Sequence, residues 1–160
     1  IVLYNVPSRT GIKLEAETVA ELNKVPNIVC IKEAGGSVDQ VSQILSLCDI
    51  TVLSGDDSLT LPMMSVGAMG VISVAANVVP AEIAHMCTLA LEGNYAKARE
   101  IHYRCMPLFK ALFYETNPMP VKAVLARMGM IKNILRLPLV PMSEPQYKRL
   151  EQVLQKLNLI

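Results

Sequence analysis

The chain has 160 residues, 52% of them apolar and 18% charged, with a formal net charge of +1. That length suits one ordinary domain with a sizeable core and excludes a disordered chain. Near-neutral charge with scattered Lys and Arg excludes a nucleic-acid face and a polybasic membrane patch, which leaves small molecules or protein as partners.

Four runs, "IVLY", "NIVCIK", "ITVLSG" and "GVISVA", are β-branched and apolar without polar alternation. Such runs predict parallel strands covered on both faces. Helical patterns follow the first three: "EAETVAELNK", "SVDQVSQILSLC" and "DSLTLPMMSVG". Ser37 with Gln40 three positions on is a capping box, which marks the start of the second of these helices. No charge occurs between Asp57 and Glu82, but Pro62, Gly67, Gly70, Asn77 and Pro80 divide that stretch too finely for a membrane span.

Beyond Pro80 the pattern becomes purely helical, over about 81–92, 94–113, 120–129 and 144–158. Gly93-Asn94 separates the first pair, and Pro120 fits the first turn of the third, where a missing N–H costs nothing. Cys30, Cys48, Cys87 and Cys105 have no CxxC spacing and only His85 and His102 accompany them, so free thiols in a reducing cytoplasm are expected and a metal cluster is not. No signal-peptide pattern opens the chain. The first residue is Ile1 rather than methionine, from which further upstream sequence is expected. Four β-α units fit either a small open α/β sheet or half of an eight-stranded barrel, a fold of about 250 residues.

Chemistry concentrates at the ends of the first two strands. Lys32 closes "NIVCIK", where apolar neighbours would desolvate its ammonium and favour the nucleophilic amine; the plainer alternative is a lysine snorkelling to water. Tyr4 closes the preceding strand, and parallel neighbours lie about 4.8 Å apart, so phenol and amine can share a pocket and a proton relay. Arg9, on the loop beyond Tyr4, offers a fork suited to a carboxylate, and Gly11 permits the tight return. Asp56 and Asp57 read as caps on free N–H groups. Glu33 points away from Lys32 towards the helical layer, where an ion pair is expected. The nine methionines read as core filler.

"YNVPSRTG", "IKEAGG", "LSGDDS", "GVISVAANVVP" and "ETNPMPVK", in that order along the whole chain, resemble the carboxyl-terminal half of the dihydrodipicolinate synthase family of pyruvate-dependent Schiff-base aldolases. The resemblance implies strands five to eight of a (β/α)8 TIM barrel over residues 1–80 and a C-terminal helical region packed on it over 81–160. It implies a 4-hydroxy-tetrahydrodipicolinate synthase fragment, a Schiff-base-forming lyase condensing pyruvate with L-aspartate 4-semialdehyde in lysine and diaminopimelate biosynthesis. Lys32 resembles the imine-forming lysine and Tyr4 the proton-shuttling tyrosine. Arg9 resembles the residue that grips the semialdehyde carboxylate, Ile72 a backbone contact to pyruvate, and Gly55 the pocket floor. No separate cofactor is implied, because the imine forms on Lys32 itself. A cytoplasmic homotetramer is the implied parent, with the isolated 160-residue piece inactive without its amino-terminal half. The competing readings are a sister aldolase acting on N-acetylneuraminate or a 2-keto-3-deoxy sugar acid, and a non-catalytic half-barrel that binds a protein partner.

Overall fold

The computed structural model describes residues 1–160. Its centre is a parallel sheet of three four-residue strands, β1 (Val2–Asn5), β2 (Cys30–Glu33) and β3 (Thr51–Ser54), in the order β1-β2-β3. The β1–β2 crossover carries a one-turn helix α1 (Pro7–Thr10) and α2 (Ala16–Asn23), and the β2–β3 crossover carries α3 (Val38–Leu47). After β3 come a 3-10 turn at Asp57–Leu59, α4 (Thr60–Ser65) and a second 3-10 turn at Ala75–Asn77. The rest is helical: α5 (Pro80–Leu91), α6 (Tyr95–Ala111), α7 (Met119–Arg127) and α8 (Glu144–Lys156).

The expected half of a (β/α)8 barrel, strands five to eight over residues 1–80, is overturned: the sheet has three strands beside eight helices. The fourth run makes only an isolated parallel bridge, Ser54 to Val71. The reason lies in where its N–H groups go. Ser54 N donates to Gly70 O and Ile72 N to Ser54 O, but Val74 N and Ala75 N then donate to Asp57 Oδ2, and Ala76 N to Ser73 Oγ. Side-chain acceptors thus take the donors that a longer ladder would need, and the chain coils into the second 3-10 turn. Asp57 therefore caps a turn far along the sequence, while Asp56 Oδ1 caps its own by accepting from Ser58 N at 2.8 Å.

Burial alternates along the strands. Asn5, Ile31, Glu33, Val52 and Ser54 are buried beneath the helical layer, whereas Val2, Tyr4 and Thr51 are exposed on the other face. The expectation of strands covered on both faces is therefore corrected to one covered face. A parallel strand's side chains point alternately to opposite sides, so this single pattern separates the core from the pocket.

One continuous apolar cluster holds the layers together, from Val19 and Ile31 through Val41, Ile44 and Met86 to Leu108, Leu150 and Leu154. Met63, Met64 and Met86 fill it, while Met69 and Met130 are exposed. Ser37 caps α3 by accepting from Gln40 N at 3.1 Å. The reciprocal half of that capping box is absent, because Gln40 Nε2 donates instead to Leu14 O at 2.9 Å, fastening α3 to the β1–β2 crossover. Tyr95 Oη donates to Met64 O, joining α6 to α4. No helix is long and apolar enough to cross a membrane.

His102 on α6 is buried against Phe109 with its Nδ1 unpartnered. Burial holds its imidazolium pKa below the ordinary 6.5. In the window below that value the unfolded chain binds more protons than the native one, so stability present at neutral pH falls as the solution is acidified through it. Urea titrations between neutral and about pH 5 should show this loss, and His102→Phe should make the dependence shallower.

Candidate active site

The carboxyl ends of all three strands open on one side of the sheet, and the cavity there is built from them outward. Register pairs Tyr4 with Lys32 and Lys32 with Leu53. Lys32 Nζ lies 4.3 Å from the centre of the Tyr4 ring. The amine thus sits over the aromatic face, a cation–π contact worth about 0.5–1 kcal/mol at such half-open positions. Lys32 is half-buried rather than enclosed by apolar groups.

After β1 the backbone turns at once into α1, with Pro7 in its first turn and Gly11 closing it at φ 74°. Pro7 supplies a preset φ and Gly11 accepts the left-handed conformation, so a single helical turn forms where the sequence suggested only a loop. Arg9 stands on that turn, exposed, and its Nη2 donates to Asn117 O at 3.5 Å. Neither Arg9 nor Lys32 has a carboxylate partner among the four ion pairs of the chain.

Gly55 follows β3 and donates its N–H to Glu33 O at 2.7 Å. A Cβ there would lie 2.6 Å from Ala34 Cβ and 3.0 Å from Lys32 Cε. Only glycine leaves the Lys32 side chain its course. Tyr4, Arg9, Lys32 and Gly55 all line one cavity of about 370 Å³, which Asn117 and Phe113 close from the helical side. Ile72 is brought near the end of β3 but does not line this cavity. Its N–H is bonded to Ser54 O, while its carbonyl accepts no backbone hydrogen bond.

Sequence reasoning assigned no role to Thr116 and Asn117, although both lie in the quoted "ETNPMPVK". Asn117 carries a buried Oδ1 with no partner. The signal was the motif itself, since nothing local ties a helix-linking loop to strands more than eighty residues earlier. Glu33, expected in an ion pair, is fully buried and bonded to Asn5 and Gly35 instead. Burial raises its pKa, offset in part by those donors. No trio of His, Cys, Asp or Glu is grouped as metal ligands would be.

Chemically, the cavity offers two cations, a phenol and a strand-end opening, with the one lining carboxylate, Asp56, already holding Ser58 through Oδ1, and this set suits a small anionic carbonyl compound. This is a strand-end site of an α/β protein, with an amine and a phenol side by side. The sequence model of the Dihydrodipicolinate synthetase family matches residues 1–157, and the chain belongs to that family. The 4-hydroxy-tetrahydrodipicolinate synthase of Methanocaldococcus jannaschii is 55% identical over 161 residues, covering 100% of this chain and 56% of that protein. The crystal structure of dihydrodipicolinate synthase from Aquifex aeolicus matches with a TM-score of 0.97 at 48% identity, over 99% of this chain and 55% of that one. The chloride-inhibited dihydrodipicolinate synthase from Acinetobacter baumannii, complexed with pyruvate, matches with a TM-score of 0.96 at 37% identity, over 99% and 55%. The chain therefore spans little more than half the length of these relatives.

Replacing Gly55 by alanine should force Ala34 and Lys32 Cε aside and strain the turn after β3. The thermal midpoint of the variant should fall by several degrees, equivalent to about 1–3 kcal/mol of overpacking.

Proposed function

We propose that this chain is part of a 4-hydroxy-tetrahydrodipicolinate synthase, a lyase of lysine and diaminopimelate biosynthesis that condenses pyruvate with L-aspartate 4-semialdehyde. The observation that carries the reading is the cavity shared by Lys32, Tyr4 and Arg9. Relatives about half identical to this chain bear that name, and the Acinetobacter baumannii relative in complex with pyruvate supports the keto acid as first substrate.

In this reading Lys32 releases one ammonium proton to solvent and the neutral amine adds through its lone pair to the keto carbon of pyruvate, whose oxygen takes a proton from nitrogen to become a hydroxyl. A second proton moves from nitrogen to that hydroxyl, which leaves as water, and the imine forms. The imine nitrogen takes up a proton and the pyruvate methyl group loses one, giving the enamine. Its carbon bonds to the aldehyde carbon of the semialdehyde as the carbonyl π bond opens and the aldehyde oxygen takes a proton. Addition of the semialdehyde's amino group to the re-formed imine then expels the Lys32 amine and frees the product. The Tyr4 phenol donates and accepts these protons, since its ring already borders the amine. Arg9 grips the carboxylate of the semialdehyde with two parallel N–H donors. The Ile72 main chain contacts pyruvate from the end of the sheet, and Gly55 supplies the floor. No separate cofactor takes part. Four free cysteines suit a cytoplasmic enzyme, and the family resemblance suits a homotetrameric parent.

Borohydride reduction of the full-length protein with pyruvate should add the reduced pyruvoyl mass to the peptide carrying Lys32. An adduct elsewhere, persistence of the adduct in Lys32→Ala, or none in the wild type, contradicts the reading. Arg9→Ala should lower semialdehyde turnover by about 10- to 100-fold while pyruvate trapping stays within about twofold. Turnover left within about twofold would show that Arg9 grips no second-substrate carboxylate and would point instead to a sister aldolase, whereas equal loss of both would place Arg9 at the pyruvate step and overturn its selective role.

A further inference from the structure

Behind the cavity, on the buried face of the sheet, each reacting strand end carries a polar residue immediately after the residue that faces the pocket. Asn5 follows Tyr4 and Glu33 follows Lys32, and the two are paired in register. Asn5 is 2% exposed and Glu33 is 0%. Asn5 Nδ2 donates to both carboxylate oxygens of Glu33, at 3.1 and 2.8 Å. Gly35 N donates to Glu33 Oε1 at 2.6 Å, and Leu14 N donates to Asn5 Oδ1 at 3.0 Å. Leu14 O in turn accepts from Gln40 Nε2 of α3.

Two side chains thereby join β1, β2, the segment returning from the Arg9 turn and the turn that leaves β2. Gly35 has no room for a larger residue, because a Cβ would lie 2.6 Å from Glu33 Oε1 and 3.3 Å from Asn5 Nδ2. Every contact to the carboxylate is an N–H donor, and none is a cation. Desolvating a carboxylate this fully is costly, and packed apolar residues in place of a buried charge are often equally or more stabilising. Stability alone therefore gives a poor account of it.

Register gives a better one. A slip of one residue between β1 and β2 would turn Tyr4 or Lys32 to the wrong face of the sheet. The strands are only four residues long, so their ladder is short. Because Glu33 points away from the cavity, it also leaves the neighbouring amine without a carboxylate partner.

We infer that Asn5 and Glu33 form a positioning clamp that fixes the Lys32 amine against the Tyr4 ring and sets the Arg9 turn above them. The inference rests on the imine-forming reading above. The clamp touches neither substrate; it acts through the two residues that do.

The test uses the full-length protein, measuring the rate of borohydride-trapped pyruvate adduct at saturating pyruvate, the pyruvate KM and the thermal midpoint. Glu33→Gln turns an amide N–H₂ towards existing donors and should slow trapping by about tenfold or more, with KM within about twofold. Asn5→Asp, which sets two carboxylates together, should do the same. The polarity-swapped pair Asn5→Asp with Glu33→Gln restores a donor between them while Leu14 N and Gly35 N keep acceptors, so it should recover most of the rate. Trapping by Glu33→Gln within twofold of wild type overturns the clamp, as does a double variant no faster than the singles. Loss of folding in all three variants assigns the pair to stability alone and overturns it likewise. A wild-type protein that traps no pyruvate overturns the Schiff-base reading and the clamp with it, whereas normal wild-type trapping beside unaltered variants removes only the clamp.

Discussion

The parallel register between β1 and β2 is the constraint on which the cavity depends. It sets Tyr4 beside Lys32 on the open face and Asn5 beside Glu33 on the covered one. With a period of two, one alignment decides both the chemistry and the packing. Tyr4, 51% exposed, and the half-buried Lys32 can stay there because their immediate neighbours are locked beneath helices. The two faces divide labour: apolar and amide contacts below, cations and phenol above.

The helical region completes what the strands begin. α6 leads directly into the loop that carries Phe113, Thr116 and Asn117 to the cavity. α6 itself is fastened to α4 through Tyr95 and to the core through Leu108, Phe109 and Leu112. A small molecule entering would meet a wall drawn from residues as far apart as Tyr4 and Asn117. That explains why the motifs quoted from the sequence are spread over more than a hundred residues and yet converge.

Much of this was legible in the residues. Helix positions followed from periodicity and punctuation, with Ser37, Gly93 and Pro120 at or near the boundaries expected of them. Parallel pairing and the meeting of Tyr4, Lys32, Arg9 and Gly55 followed from strand ends and from the family resemblance. The fourth strand did not, because "GVISVA" has the composition of a strand while its N–H groups are claimed by Asp57 and Ser73, acceptors whose reach is a tertiary fact. Glu33 was placed on the correct side of the sheet, but its partner proved to be an amide across the ladder rather than a cation. Composition cannot choose between those partners. Ile72 reaches the end of β3 as its position in the fourth run implied, with its N–H bonded to Ser54 O.

The Arg9 guanidinium reaching the Asn117 carbonyl joins positions 108 residues apart. As the polypeptide leaves the ribosome, the lower part of the cavity is present in the chain once Gly55 has emerged, but its upper wall waits for more than sixty further residues, among them all of α5 and α6. At a synthesis speed of about 5–20 residues per second, the nascent sheet spends several seconds with both cations uncovered before the vault over them exists.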